Sequence, residues 1–230
     1  SPVTYGILSD GCSSSEQTDV GARILAHLAS AYLIRHQDNL ESIAYEPMGK
    51  TIIESAGQIA ELMNLPKTAL DATLIIAYEL NRQIYIYVYG DGCILYKKSD
   101  QPLSITTISF LKNAPYYLSY QLDQARNQSY LDCQLTKQVG DQIVAVHTPV
   151  QFIFPMEQDA AVMISSDGIE SFIDNYGNKI HVNEAASEFM SFKNVKGSFV
   201  KRRIKRAIRD YEKSGRVHYD DISLAAFLMS

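Results

Sequence analysis

Apolar residues recur at helical spacing in two early segments of the chain. Between residues 20 and 32 and again between residues 50 and 63, they return every three or four positions, which is the spacing of one helix face. The first helix is expected to be capped by Thr18 or Asp19, because either side chain can accept a hydrogen bond from the first helical turn. The second is predicted to stop at Asn64-Leu65-Pro66, since proline cannot continue a helix.

Further helices are predicted in the last third of the chain. A short helix is expected after Asp167, and a longer one over residues 182–190. Ser198 is expected to cap a long basic helix that ends near Glu212.

Seven short apolar segments have the composition of β-strands, rich in β-branched and aromatic residues. They span residues 3–8, 73–78, 84–89, 93–96, 150–154, 160–164 and 222–228. Asn81-Arg82 separates the second from the third, so these two are predicted to form a hairpin. Gly90-Asp91-Gly92 is expected to turn the chain into the fourth strand, which would extend an antiparallel meander. The tyrosine-rich stretch 112–128 is interpreted as a flap.

Helices therefore come early and late, with a block of strands between them. This order favours an α+β fold in which packed sheets are covered by helices. The length of 230 residues suits one large domain or two small ones, and a hydrophobic content of 46% is enough to bury a core. The net charge of −5 gives no reason to expect a strongly charged partner.

The cysteines and the apolar runs bear on the setting of the protein. Three widely spaced cysteines without a Cys-x-x-Cys pair favour a reducing, cytoplasmic setting over a disulfide or zinc framework. No run approaches the roughly 18 apolar residues that span a bilayer, and no signal peptide opens the chain. A strand-like segment follows Ser1 almost at once, so we expect that residues upstream are missing.

One short pattern, an apolar strand followed by serine, aspartate and glycine, occurs twice. It ends at Ser9-Asp10-Gly11 and again at Ser166-Asp167-Gly168. Gly90-Asp91-Gly92 is a looser version, and Asp220-Asp221 leads directly into the last strand. Aspartate is a poor strand residue, so its repeated placement at strand ends points to a chemical role. For any single Asp-Gly, including the one at Asp91, a simple turn is the better interpretation.

Carboxylates that converge repel one another, and a divalent cation removes the conflict. Mg²⁺ and Mn²⁺ both prefer oxygen ligands, so the pattern does not choose between them. Two such ions can share a carboxylate and a water molecule and thereby generate a nucleophile for phosphoryl chemistry.

Taken together, the motifs resemble the type 2C metal-dependent serine/threonine protein phosphatases, and most closely a bacterial branch in which Cys-Ser-Ser-Ser follows the first Asp-Gly. The resemblance covers nearly the whole chain. Its five motifs come in the order and spacing of the family: Ile7–Gly11, Asp71–Leu74, Val88–Gly92, Ile164–Gly168 and Tyr219–Ser223.

The resemblance implies two packed antiparallel sheets flanked by helices on both sides, a four-layer αββα sandwich with a two-metal site at one end. Asp10 would bridge the two Mg²⁺ or Mn²⁺ ions, and the Gly11 carbonyl would bind one of them. Asp167 and Asp220 would hold the second ion, with Asp221 in a supporting position. The nucleophile would be the metal-activated bridging water, so no side chain is predicted as catalytic.

The chain departs from the family in several places. The acidic residue and the arginine that family members carry near the N-terminus are not present, so the sequence is interpreted as a single domain over residues 1–230 that lacks its N-terminal strand and first metal-ligand motif. A histidine acid after the first Asp-Gly is absent too. Ser171, next to Glu170, stands where many relatives have an aspartate for a third metal, so only two ions are predicted, with Asp91 and Glu170 as possible supporting residues.

Other reactive side chains have plainer interpretations. Cys12 could be a nucleophile, but no histidine lies near it in sequence, and a small loop thiol is favoured. His218 could donate a proton, although a surface histidine is favoured. The basic helix could bind phosphorylated partners or nucleic acid, but a solvated helix face is favoured. Tyr116 and Tyr117 could line a substrate groove or simply pack within the loop.

The predicted function is hydrolysis of phosphoserine and phosphothreonine in proteins. The expected partners are a phosphorylated protein substrate and a serine/threonine kinase, with no membrane and with nucleic acid disfavoured. The alternative is a pseudophosphatase that binds phosphoproteins or a partner kinase without turnover.

Overall fold

The computed structural model describes residues 2–98 and 101–228. Within them the α-helices are α1 (Thr18–Arg35), α2 (Tyr45–Leu62), α3 (Gln124–Cys133), α4 (Val182–Phe189) and α5 (Phe199–Lys213). The strands are β1 (Tyr5–Gly11), β2 (Ala72–Leu80), β3 (Gln83–Tyr89), β4 (Gly92–Lys97), β5 (Ser104–Phe110), β6 (Thr136–Val139), β7 (Gln142–Ala145), β8 (Val150–Pro155), β9 (Ala161–Ser165), β10 (Phe172–Ile173), β11 (Val217–His218) and β12 (Leu224–Leu228). None of the described helices is long and apolar enough to cross a membrane.

The first of two compact units comprises Ser1–Gly92 and Thr107–Pro155. Its four-stranded antiparallel sheet has the order β1-β2-β3-β8. Helix α1 packs against β1 and β2, and α2 shares a buried core with the sheet. Leu25 of α1, Ile52 of α2 and Leu74 of β2 belong to one buried core. The alternate residues of β2 and β3 that face this core include three tyrosines, Tyr78, Tyr87 and Tyr89, so aromatic side chains supply much of the buried area.

The second unit comprises Cys93–Thr106 and Met156–Ser230. Here β12, β9 and β4 lie side by side, and β5 continues the sheet. The helices α4 and α5 cover a core centred on Phe172, whose ring meets Phe189 edge-on at a centroid distance of 5.8 Å and Tyr211 at 5.1 Å. Strand β5 begins in this unit and ends in the first, where β6 and β7 follow it in the sheet.

The predicted α+β fold with large antiparallel sheets and helices is confirmed, and so is the hairpin of β2 and β3. Its two turn residues, Asn81 and Arg82, have φ values of 51° and 59°. Two consecutive positive φ angles define the turn type whose twist matches that of the strands it joins.

The meander prediction is wrong, because β4 pairs with β9 and belongs to a different sheet from β3. Gly90 and Gly92 have φ values of 105° and 134°, conformations that redirect the chain instead of folding it back on β3. The predicted flap is partly helical, since Leu118–Leu122 forms a 3₁₀ helix and α3 follows it.

The predicted cap of α1 is also wrong. Gln17 occupies that position with φ 60°, and its side chain makes no capping hydrogen bond. Thr18 instead lies in the first turn and donates its hydroxyl hydrogen to the Cys12 carbonyl over 3.0 Å. Helix α2 begins at Tyr45, earlier than the predicted Lys50, because the aromatic and apolar side chains of its first turn pack into the core.

Two helical glycines offer a test of the packing in the first unit. A Cβ atom at Gly21 of α1 would lie 1.7 Å from the Ala69 carbonyl oxygen, whereas one at Gly57 of α2 would lie 3.0 Å from the flexible end of Leu122. We expect Gly21→Ala to lower the free energy of unfolding by about 2 to 3 kcal/mol, because backbone must move. Gly57→Ala is expected to change the free energy of unfolding by less than about 1 kcal/mol, since alanine favours the helix. Urea unfolding measures both, and equal losses would contradict the expectation.

Candidate metal centre

Strand β1 carries the first predicted metal-binding segment, Asp10-Gly11, to the end of a sheet. Asp10 is half-buried and lies opposite Thr73 of β2, and Gly11 lies opposite Ala72. A Cβ atom at Gly11 would lie 2.8 Å from both the carbonyl oxygen and the hydroxyl oxygen of Thr18. Glycine is therefore required here, because the first turn of α1 lies directly against the backbone at the end of β1.

The loop after Gly11 is held by hydrogen bonds and contains Cys12. The Cys12 backbone N–H donates to the Asp71 carbonyl over 2.8 Å, and the Cys12 thiol lies 3.0 Å from the Ser14 hydroxyl. Burial raises the pKa of the Cys12 thiol, but hydrogen bonds from Ser14 and Tyr117 outweigh that effect, so the pKa lies below its usual value. This thiol belongs to a fixed loop next to Asp10-Gly11.

A buried ion pair lies beneath this loop, and the sequence did not reveal it. Asp71 is 4% exposed, and Nη2 of Arg126 donates to its two carboxylate oxygens over 3.1 and 2.9 Å. The hydroxyls of Ser119 and Ser15 donate to the same carboxylate over 2.5 and 3.1 Å. The ring of Tyr120 lies 4.8 Å from the guanidinium. Four hydrogen bonds from three side chains thus fix the carboxylate of Asp71, whose backbone carbonyl anchors the Cys12 loop.

Asp91, predicted as a possible supporting residue, is held within the first unit. It accepts a short hydrogen bond from the Thr73 hydroxyl. A Cβ atom at the preceding Gly90 would lie 2.7 Å from that same hydroxyl oxygen. Glycine at 90, with its positive φ, is what allows Asp91 to reach Thr73.

In the second unit, β9 leads into the acidic turn Asp167–Glu170, a 3₁₀ helix. The Ser166 N–H donates to the Ser223 carbonyl over 3.0 Å, and the Ser166 hydroxyl receives the Ser223 N–H over 3.2 Å. A Cβ atom at Gly168 would lie 2.0 Å from the Asp221 carbonyl oxygen. The second Ser-Asp-Gly motif therefore packs directly against the segment that contains Asp220 and Asp221.

Electrostatic repulsion marks this contact. Burial raises the pKa of Asp167, and the charge of Asp220 raises it further. Burial also raises the pKa of Glu170. The charge of Lys179 opposes this increase, and the charge of Asp167 adds a smaller increase. Neither Asp167 nor Asp220 forms an ion pair with a lysine or arginine among residues 2–98 and 101–228. A divalent cation fits this donor set, because it would neutralise two carboxylates that repel each other.

The immediate surroundings of Asp220 are backbone contacts. Its carboxylate accepts the Asp221 N–H over 2.9 Å, and its carbonyl accepts from Nδ1 of His218 over 2.9 Å. The His218 ring also lies 5.4 Å from the Phe172 ring, which anchors it to the core of the second unit. These contacts favour a positioning role for His218.

The predicted ligands fall into two groups. Asp10 and Gly11 belong to the first unit, and Asp167 and Asp220 to the second. In the part of the chain that the structure describes, no three His, Cys, Asp or Glu side chains are arranged to hold a metal ion. The four-residue ligand set therefore stays a prediction from the motifs, supported by the Asp167–Asp220 pair.

The first unit also contains an aromatic cavity of about 570 Å³. Tyr45 and Tyr89, whose rings stack at 4.4 Å, line it together with Phe110 and Lys137. Lys137 is 6% exposed and donates from Nζ to the Thr148 carbonyl over 2.6 Å. Burial of this amine lowers its pKa to about 8.

The buried amine of Lys137 is expected to make stability depend on pH. Its pKa of about 8 lies below the roughly 10.4 of a lysine in an unfolded chain. Between these values the unfolded state binds more protons, so the parent protein should gain stability as pH rises. Lys137→Met has no such charge, so its stability relative to the parent should fall between pH 7 and pH 10. Urea unfolding at both pH values tests this, with the exposed Lys97→Met as control, and a pH-independent difference would contradict it.

Comparison with known proteins adds a family and a fold. The sequence profile of the family described as Protein phosphatase 2C matches residues 3–209, which include Asp10, Gly11 and Asp167 but not Asp220. No curated protein sequence matches the chain significantly.

Several solved structures resemble this one. The Mycobacterium tuberculosis serine/threonine phosphatase PstP/Ppp is 12% identical, with a TM-score of 0.52 over 99% of this chain and 91% of that one. The S. agalactiae serine/threonine phosphatase is 13% identical, with a TM-score of 0.50 over 98% and 88%. Stp1 of Staphylococcus aureus is 14% identical, with a TM-score of 0.50 over 98% and 84%. At these identities the likeness establishes the fold.

Proposed function

Because the chain belongs to the protein phosphatase 2C family, we propose that it hydrolyses phosphoserine and phosphothreonine in proteins with the help of divalent cations. One observation carries the proposal. Asp167 lies in the Ser-Asp-Gly turn that follows β9, where burial raises its pKa and the charge of the nearby Asp220 raises it further. Two carboxylates without a lysine or arginine partner in the described residues are the environment that a divalent cation stabilises.

Under this proposal, four residues hold two Mg²⁺ or Mn²⁺ ions. They are Asp10, the Gly11 carbonyl, Asp167 and Asp220, with Asp221, Asp91 and Glu170 in supporting positions. The motif positions support this assignment, and both ions suit oxygen ligands. When bound, the cations would act as Lewis acids that activate water and neutralise charge on the phosphoryl group.

The chain's own contacts serve this chemistry by fixing the ligands. Thr18 packs against Gly11 so closely that no side chain fits at position 11. The two hydrogen bonds between Ser166 and Ser223, one donated by each backbone N–H, keep the Asp167 turn against the segment of Asp220. Fixed ligands need little reorganisation when a cation binds.

Ser171 favours two ions over three. Its side chain is buried and donates to the Gly168 carbonyl over 2.7 Å, so it closes the Asp167–Glu170 turn instead of offering a carboxylate. Glu170 remains as the nearby acidic residue. The proposed partner is a phosphorylated protein, with a serine/threonine kinase that opposes the reaction, and the proposed setting is the cytoplasm.

The second candidate is a binding module without turnover. It is supported by the loop after the first Asp-Gly, where Cys12-Ser13-Ser14-Ser15 stands in place of a segment with a histidine acid. Such a pseudophosphatase would bind phosphoproteins or a kinase.

The deciding experiment measures phosphate release from a phosphothreonine peptide by the whole chain with Mn²⁺, with Mg²⁺ and with EDTA. Turnover that requires either cation supports the phosphatase. A folded protein that binds the phosphopeptide yet releases no phosphate with either ion favours the binding module instead.

A further inference from the structure

Positive charge is concentrated on one segment of the second unit. Residues 191–209 contain eight of the chain's 21 lysine and arginine residues and none of its 26 aspartate and glutamate residues. The net charge of the chain is nevertheless −5, so the remaining residues are strongly acidic. A local surface of opposite sign to the rest of the molecule attracts anions.

The helix that carries most of this charge uses its apolar side for the core. Ala207 and Tyr211 of α5 are buried, and Ile204 and Ile208 pack against the same core cluster. Most basic side chains of α5 are exposed, among them Lys201, Arg202, Lys205, Arg206 and Arg209, whereas the Arg203 side chain is only 10% exposed. Because the apolar side is already covered, α5 has no free hydrophobic face with which to enter a lipid surface.

Six basic side chains of this segment line a groove of about 370 Å³. We call this the basic groove, and it is lined by Ser191, Phe192, Lys193, Asn194, Phe199, Arg202, Arg203, Lys205, Arg206 and Arg209. Phe192 and Phe199 meet edge to face at 5.1 Å and form an apolar part of its wall. The groove therefore combines cations with a hydrophobic surface.

Most of these cations have no acidic partner within residues 2–98 and 101–228. Arg202 and Arg209 donate to the backbone carbonyls of Lys196 and Lys205. Lys193 and Lys205 form no ion pair with a carboxylate among the described residues, and Arg206 has only the exposed Asp210 at 3.7 Å. Arg203 differs, because it pairs with Glu188 and so joins α5 to α4. The groove retains donors for an incoming anion.

The spacing of the arginines fits an extended acidic peptide. Residues four apart on a helix are roughly 6 Å apart along its axis, as Arg202 and Arg206 are. Alternate side chains of an extended chain lie roughly 6.6 Å apart on one face, so acidic residues at every second position could each meet a guanidinium. Phe192 and Phe199 would contact an apolar side chain on the same face of the peptide, next to the acidic run.

A short peptide segment fits better than a nucleic acid. Outside residues 191–209 acidic residues outnumber basic ones, so a long polyanion would meet repulsion beyond the groove. A short acidic segment ends before it reaches that region. The two phenylalanine rings also pack against each other, which leaves less ring surface for stacked bases.

We propose that the basic groove docks a short acidic segment of a protein substrate, and this role in substrate selection rests on the phosphatase function proposed above. The groove would raise affinity for phosphoproteins whose phosphorylated residue is linked to an acidic stretch.

The test separates docking from catalysis. A fluorescein-labelled, unphosphorylated peptide of alternating Glu and Ser is titrated with the whole chain, and fluorescence anisotropy gives the Kd. The groove variant is Arg202→Gln, Arg206→Gln and Arg209→Gln combined. Its matched control is Lys196→Gln, Lys201→Gln and Lys213→Gln, which removes the same charge from exposed positions outside the groove. Thermal melting checks that both fold.

We expect the groove variant to bind the acidic peptide at least about tenfold more weakly, and the control less than about threefold more weakly. In turnover of a phosphothreonine peptide with an acidic stretch, the groove variant should raise KM and leave kcat unchanged. Equal losses of affinity in the two variants, or preferential binding of oligothymidylate or anionic vesicles, would overturn the docking proposal. Binding without any phosphate release would leave docking supported and overturn the phosphatase function alone.

Discussion

Asp167→Asn is expected to lower kcat/KM for a phosphothreonine peptide by about a thousandfold. Metal ions supply several kcal/mol of charge stabilisation to phosphoryl transfer, and about 4 kcal/mol corresponds to a factor of roughly a thousand in rate. Asparagine keeps the shape of the side chain but loses the charge that, in the proposed function, holds a cation. The measurement is steady-state phosphate release with saturating Mn²⁺.

The neighbouring pair Asp220 and Asp221 supplies a matched comparison. Asp220→Asn should lower kcat/KM about as much as Asp167→Asn does. Asp221→Asn should lower it less than about tenfold, because the Asp221 contact with Gly168 is made by its backbone carbonyl. Thermal melting adds a readout that does not depend on turnover. Mn²⁺ should raise the Tm of the parent protein and not that of Asp167→Asn, and in EDTA this variant should be at least as stable as the parent, since its repulsion with Asp220 is gone. Full activity of Asp167→Asn would refute the assignment.

Arg126→Met is expected to lower the free energy of unfolding by about 3 kcal/mol. It would leave the buried Asp71 carboxylate without its cation, and breaking a buried ion pair from one side costs several kcal/mol. Because Ser119 and Ser15 would still donate to Asp71, the expected loss is at the lower end of that range. Urea unfolding provides the measurement.

Two further variants make that result specific. Glu54→Gln removes an exposed pair with Lys50 and should change stability by less than about 0.5 kcal/mol. The double variant Arg126→Met with Asp71→Asn should recover part of the loss, because the amide carries no buried charge. An Arg126→Met loss no larger than that of Glu54→Gln would mean that the ion pair does not stabilise the fold.

Local patterns explain why part of the fold could be predicted from sequence. The β2–β3 hairpin was predictable because strand composition and a two-residue turn at Asn81-Arg82 lie within one short segment. The two Ser-Asp-Gly motifs were predictable for the same reason, since the apolar strand and the polar residues that follow it lie within one short segment. Helix α4 follows from apolar spacing over a few turns.

Long-range contacts explain most of the rest. The partner of Asp71 is Arg126, 55 residues away in sequence, and it comes from a stretch whose tyrosines and polar residues show no helical periodicity. The only local signal was a carboxylate directly before an apolar strand. Strands β6 and β7 were not predicted, because Lys137 and Gln138 interrupt any apolar alternation and pairing with β5 holds β6 in place. The crossing from β3 to β4 depends on glycine conformations that composition does not specify.

The contact between Ser166 and Ser223 also determines when, during synthesis, the Asp167 turn can pack against the segment that contains Asp220. The two residues are 57 positions apart. At translation rates of roughly 5 to 20 residues per second, the Ser-Asp-Gly turn would exist for about 3 to 11 s before Ser223, which forms hydrogen bonds with Ser166, has been synthesised. The Asp167 carboxylate would therefore acquire its neighbour Asp220 only after 53 further residues have been made. Under the proposed function, a nascent chain should show no phosphatase activity until then, even if the helices and sheet of its first unit have already folded.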